Sequence, residues 1–301
     1  MKTHASVSRR TFLAISGAIP AALAAQVSVR SSAAEATSAS ATGPKHYPIG
    51  LELYSVRDEL SRDLPNTLKT VAKAGYEVVE FYSPYFKWTP IYAKEVRAQM
   101  DDFGLRCYST HNGFESFSSP DNLAHAIELN QILGARYIVL ASAPGSAKGV
   151  DGWKKLCEDL TSAVEQLKPH GLSAGYHNHQ AEWAKLDNGQ RILEILAANT
   201  PKEFMLQLDV GTCEEAGADP VAWVKANPGR IKTMHLKDWA PEKDKGYRVL
   251  FGEGVTPWKE LIEAGKSVGG SEYFLIEQEG SRFSEFETAK RCLDNYKAIF
   301  G

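Results

Sequence analysis

The sequence predicts a single (β/α)8 barrel over residues 46–301, on three observations. Short β-rich runs alternate with stretches of helical spacing, in units that recur about every 30 residues. Eight strand-then-helix units call for parallel strands joined by crossover helices. No Gly-rich phosphate turn follows the first run, which ends Leu53-Tyr54-Ser55-Val56-Arg57, so an open dinucleotide-binding sheet is disfavoured.

The expected strands are Ile49 to Tyr54, Tyr76 to Tyr82, Arg106 to Ser109, Tyr137 to Ala141, Leu172 to His177, Phe204 to Asp209, Ile231 to Leu236 and Tyr273 to Glu277. Between them, Leu64 to Ala74, Ile91 to Phe103, Asp121 to Leu133 and Gly152 to Leu167 carry helical spacing. Asp121 after Ser119-Pro120 marks a helix start, and Gly75, Gly104, Gly134 and Gly171 stand where helices should stop.

The chain has 301 residues, 43% hydrophobic and 24% charged, with a formal net charge of −3. That balance is ordinary for a globular enzyme and gives no electrostatic reason to expect nucleic acid as a partner. Cys107, Cys157, Cys213 and Cys292 form no CxxC pair, so most are expected to be free and at least partly buried.

Residues 1–30 read as an export signal. Ser8-Arg9-Arg10-Thr11-Phe12-Leu13 is followed by an uncharged apolar run to about Ala25, with Ala22-Leu23-Ala24 as a cleavage site. The run is too short to span a membrane comfortably, and the paired arginines resemble a twin-arginine signal. Residues 31–45, rich in Ser, Ala, Thr and Gly, read as a flexible linker. The expected partner is therefore the twin-arginine export machinery, and the expected location the periplasm, with a mature form that does not span the membrane. A homo-oligomer is compatible with the sequence.

In a barrel of this kind the active site lies at the C-terminal ends of the strands. The polar residues there are Glu80, His111-Asn112, His177-Asn178-His179 with Glu182 beyond, Gln207 and Asp209, His235 with Lys237, and Glu277 with Glu279. Alternation along a strand puts Gln207 with Asp209, His235 with Lys237, His177 with His179 and Glu277 with Glu279 on one face, and turns Leu208, Leu236 and Ile276 outward. So many ionisable groups at one mouth are costly to desolvate unless a cation offsets them. A divalent metal is expected there. Mixed imidazole and carboxylate donors suit manganese first, then cobalt, zinc or iron, and magnesium less well.

These segments, taken in order, resemble the xylose isomerase-like barrel superfamily, also called the sugar phosphate isomerase/epimerase family. The matching motifs are Gly175-Tyr176-His177-Asn178-His179 with Glu182, Gln207-Leu208-Asp209-Val210-Gly211, Ala216-Gly217-Ala218-Asp219-Pro220, His235-Leu236-Lys237-Asp238, Gly252-Glu253-Gly254 and Glu277-Gln278-Glu279-Gly280. The resemblance implies metal ligands from strands five to eight, with Asp209, His235 and Glu277 in the last three places. Where the family has a strand-five glutamate this chain has His177, with His179 two residues on. That departure is shared with inosose-dehydratase-like proteins and leaves the ligand open between the two histidines.

The resemblance further implies proton removal next to a carbonyl, as an isomerase, epimerase or lyase. Glu277 is expected as both ligand and base, opposite His177 or Glu182. Glu80, His111, Lys237 and Glu279 are expected to bind substrate, and Gly252-Glu253-Gly254 to shape a loop rather than bind phosphate. Trp183, Trp239 and Trp258 offer either an apolar wall for a sugar ring or loop packing. An exported enzyme should meet free sugars, keto sugars or glycosides. The competing readings are an abasic-site DNA endonuclease, which the acidic composition disfavours, and a non-catalytic sugar-binding barrel, which would not need the metal set.

Overall fold

A computed structural model describes residues Lys45–Gly301. The export signal expected over 1–30 lies outside the described residues, as does the linker expected over 31–45 apart from Lys45. Eight parallel strands close into a barrel in chain order: β1 Ile49–Glu52, β2 Val78–Phe81, β3 Arg106–Asn112, β4 Tyr137–Leu140, β5 Ser173–His177, β6 Met205–Asp209, β7 Met234–Leu236 and β8 Phe274–Ile276. Closure is made by β1, which pairs with β2 (Gly50 beside Val78) and with β8 (Gly50 beside Leu275).

The crossover helices start and stop on local signals. Ser119 caps Pro120–Leu133 by accepting from the Asn122 amide, and Thr89 caps Pro90–Phe103 through the Tyr92 amide. Gly75 and Gly134 close their helices with φ of 103° and 84°, a conformation that a side chain disfavours. Gly149–Leu167 begins three residues before its expected start, and a short 3-10 turn to His170 separates it from Gly171.

Two layers of apolar side chains hold the barrel. Val78, Tyr137, Val139, Met205, Tyr273 and Leu275 fill the interior. Val79, Leu206, Leu208, Leu236 and Ile276 face outward into the helix layer, as alternation requires. Further along the strands the inward row turns polar: Val78 is followed two residues on by Glu80, Gly175 by His177, Met205 by Gln207 and Asp209, and Leu275 by Glu277. The lower half of the barrel is a packed apolar plug and the upper half is a cup of buried ionisable groups.

Strand ends depart from expectation in two places that matter. β1 stops at Glu52 instead of Tyr54, because the Glu52 carboxylate accepts the Tyr54 amide at 2.6 Å and starts a 3-10 turn over Leu53–Val56. β3 runs past Ser109 to Asn112, which carries His111 on the strand itself. The four cysteines are free and buried. Among the described residues no helix is long and apolar enough to cross a membrane.

Candidate active site

Seven strands contribute buried polar side chains to the mouth: Glu52 from β1, Glu80 from β2, His111 from β3, His177 from β5, Gln207 and Asp209 from β6, His235 from β7, and Glu277 just beyond β8. Ligating atoms of His177, Asp209, His235 and Glu277 all lie within 4.8 Å of one another. His179 and Glu182 are not part of that group. The chain leaves strand geometry after His177 and turns into a 3-10 segment over Gln180–Trp183, so the two histidines do not alternate as on a strand. The His179 ring instead meets His177 edge-on, with centroids 4.9 Å apart. Glu182 spends both oxygens locally, accepting from the Tyr176 hydroxyl and the His179 amide at 2.8 Å each.

The hydrogen bonds beneath the cluster can be read as a sequence of forced choices. Glu80 accepts only, so the Gln207 amide nitrogen must face it, at 3.0 Å. The Gln207 carbonyl oxygen is then left to accept from His111 Nε2 at 2.6 Å and His177 Nδ1 at 3.1 Å. With its proton on Nδ1, His177 presents a bare Nε2, 3.7 Å from Asp209 Oδ2. That oxygen is buried and accepts no hydrogen bond. Its sister Oδ1 accepts the Thr212 amide at 2.8 Å, and Asn178 clamps the Asp209 backbone, so the carboxylate is aimed. Two lone-pair atoms thus face each other beside the Lys237 ammonium, an arrangement that suits a cation between them. His235 lies between two carboxylates, with Nε2 donating to Glu80 Oε2 at 2.7 Å and Nδ1 donating to Glu277 Oε2 at 3.0 Å; a cation would take the place of the Nδ1 proton. A carboxylate behind a ligating histidine is the usual support for such a ligand.

The charges are divided unequally. Burial alone would raise Glu277, but the Lys237 ammonium and His235 overrule it and hold this carboxyl well below the usual range. Burial, reinforced by Glu277, pushes Glu52 well above that range. Burial lowers His177 well below the ordinary imidazole value, and neighbouring His235, His111 and His179 add to the effect. His235 goes the other way despite its burial, raised by Glu277 and Glu80. Lys237, expected to bind substrate or to pair at the surface, is buried: its Nζ stands 3.0 Å from Asp209 Oδ2, 3.2 Å from Glu277 Oε2 and in contact with Glu279. Its approach to Asp209 Oδ2 lacks hydrogen-bond alignment and is Coulombic.

A cavity of about 260 Å³ opens above the cluster, walled by Glu52, Tyr54, Tyr82, His111, His177 and Glu277 among others. His111 and Glu279 line it as expected. Glu80 sits beneath it, fully buried, and supports rather than lines it. Glu52 was not singled out from sequence. The available signal was a lone carboxylate between Leu51 and Leu53 in an otherwise apolar run. Neither Trp183 nor Trp258 walls the cavity: Trp183 packs on Trp223, and Trp258 packs on Phe251 and donates to Asp238. Trp239 lies outside the cavity wall as well. The aromatic wall comes from Tyr54 and Tyr82. Asp238 also accepts the amides of Gly252 and Gly254, at 2.8 and 3.0 Å. A Cβ on Gly254 would stand 2.2 Å from Asp238 Oδ1, so this Gly-Glu-Gly run is a loop folded over a carboxylate.

Glu80 makes the support measurable. Burial would raise it, yet His111 and His235 bring it from 4.5 down to about 2. A depressed carboxyl contributes stability above its unfolded value that is lost as pH falls toward its folded value. In metal-free protein, urea melts at pH 6, 4.5 and 3 should show the deficit of Glu80→Gln, about 3 kcal/mol at pH 6, shrinking as pH falls below 4.5. A deficit that stays constant over that window would contradict the assignment.

The sequence matches the xylose isomerase-like TIM barrel family over residues 68–297. An inosose dehydratase of Mesomycoplasma hyopneumoniae strain 7448 is 27% identical over 219 residues, covering 65% of this chain and 71% of the relative. The crystal structure of a sugar phosphate isomerase/epimerase from Parabacteroides distasonis ATCC 8503 superposes with a TM-score of 0.72 at 26% identity, covering 88% of this chain and 98% of that one. The IOLI protein with a bound zinc atom shares the fold, with a TM-score of 0.62 at 16% identity over 84% of this chain and 99% of that one. With the family match spanning most of its length, this chain belongs to the xylose isomerase-like TIM barrel family.

Proposed function

We propose that the protein is a divalent-metal-dependent enzyme that removes a proton from a carbon next to a carbonyl, in a free or keto sugar or a glycoside, and returns it as an isomerase or epimerase does. The observation that carries this reading is the pair of facing lone-pair atoms His177 Nε2 and Asp209 Oδ2, neither of which accepts an aligned hydrogen bond. His177, Asp209, His235 and Glu277 would hold the ion, with manganese the first expectation and cobalt, zinc, iron or magnesium its competitors. The zinc atom in the IOLI structure supports a divalent ion on this fold. When bound, the ion supplies a Lewis acid for the substrate oxygens and for the negative charge that develops during proton removal.

The remaining work falls to side chains of this chain. Glu277, held ionised, accepts the proton at Oε2 or its partner oxygen. Glu52, its carboxyl pushed up by burial across the same cavity, donates a proton. It takes the place expected of Glu182, whose oxygens are already engaged. Glu279 lines the cavity and orients a substrate hydroxyl there, held in place by the buried Lys237 ammonium. Inosose dehydratases among the relatives, together with the strand-five histidine, favour a second reading: loss of a β-oxygen substituent in place of reprotonation, as in a lyase or dehydratase. The twin-arginine pattern supports periplasmic localisation, where phosphate-free substrates fit.

Two measurements check this. Metal-loaded protein incubated with keto sugars and keto glycosides in deuterated water should exchange deuterium at the carbon beside the carbonyl, and Glu277→Gln should slow exchange by at least about 100-fold. No exchange across a broad panel would sink the mechanism, while the mass of the product separates epimerisation from elimination. Lys237→Met should destabilise metal-free protein by about 3–5 kcal/mol, because two buried carboxylates lose their counter-charge. Added divalent metal should then raise its melting temperature more than that of wild type. Equal shifts would show that the ammonium and the ion do not share these oxygens.

A further inference from the structure

We infer that the apolar groove beside the barrel mouth binds the second ring of a glycoside, a sugar or aromatic aglycone joined through a glycosidic oxygen. The inference rests on the reading of the mouth as a sugar site and names its substrate class. The cavity over the cluster, about 260 Å³, is smaller than the usual range for ligand pockets and suits about one ring. Beside it lies a second hollow of about 480 Å³, walled by Leu60, Leu64, Pro65, Pro84, Trp88 and Tyr92. Tyr82 walls both, so the two hollows meet at one aromatic side chain. The second hollow belongs to the segments that follow β1 and β2, on the face where the strands end.

The groove is built to hold a ring with an apolar face. Trp88 is braced edge-on by Phe81 at 5.1 Å and Tyr92 at 5.3 Å, so this platform is already ordered before a ligand arrives. Tyr54, Ile91 and Tyr92 are three of the five large apolar side chains exposed among the described residues, and all three lie in these same two segments. Clustered exposed apolar surface beside a polar cleft marks a binding surface. The charged groups along the groove are committed elsewhere: Arg62 pairs with Glu59, and Asp63 caps its own helix through the Asn66 amide. The walls therefore favour a neutral ring over a phosphate.

The test compares three probes on the full, metal-loaded chain by calorimetry: methyl glucoside, phenyl glucoside and cellobiose, each oxidised to the keto form at one ring hydroxyl of its glucosyl unit. Phenyl glucoside, cellobiose or both should bind at least 10-fold more tightly than methyl glucoside, and which of them does so identifies the ring as aglycone or sugar. Tyr92→Ala and the milder Trp88→Phe should each lower that second-ring advantage three- to ten-fold. No advantage in wild type, or an advantage that neither variant reduces, overturns the inference while leaving the single-ring site standing. Failure of all three probes to bind overturns the sugar reading and this inference together.

Discussion

The hydrogen bond from the Gln207 amide to the Glu80 carboxylate orders everything above it. A carboxylate cannot donate, so this one contact fixes which end of Gln207 faces the histidines, and that end accepts a hydrogen bond from each. The consequence is carried upward through His177 to a bare ring nitrogen, and through Glu80 itself to His235. The donor set at the mouth is thus decided one layer below it, by residues that touch no substrate-sized cavity. Low dielectric makes the decision firm, because a wrong tautomer would strand a buried polar atom.

The barrel is what makes such an arrangement affordable in free energy. Its lower half is a dry plug of Val78, Tyr137, Val139, Met205, Tyr273 and Leu275, and its outer layer buries the opposite face of every strand. Strand ends fixed on both faces give the polar cup little freedom to relax around uncompensated charge. Lys237 offsets part of the cost by lying between Asp209 and Glu277. The same geometry places a carboxyl held low, Glu277, and one pushed up by burial, Glu52, on one cavity, a separation that suits acid–base chemistry.

Much of this is visible in the residues themselves. The period-two rhythm of Gln207-Leu208-Asp209 and His235-Leu236-Lys237 shows which side chains point inward, because both faces of a buried strand are constrained. The rhythm misleads where the strand ends. His177-Asn178-His179 has the right spacing for one face, but the chain turns after His177 and His179 leaves the cluster. Glu182 looks like a pocket acid from its position, yet a glutamate three residues after a helix start is also a cap, and local backbone amides win. Glu52 is hidden for the opposite reason: Leu51-Glu52-Leu53-Tyr54 reads as one continuous strand, and only the Tyr54 amide bond shows where it stops. The role of Gln207 depends on partners from three other strands, β2, β3 and β5, which no local pattern encodes.

The central claim is that His177 Nε2 and Asp209 Oδ2 share a cation with His235 and Glu277. A crystal of the protein soaked in manganese or zinc, with anomalous scattering recorded at the metal edge, tests it most directly. The account predicts one strong peak at about 2.0–2.2 Å from those four side chains, with His179 and Glu182 uninvolved. No peak at the barrel mouth, or a peak held by His179 or Glu182 instead, would contradict it.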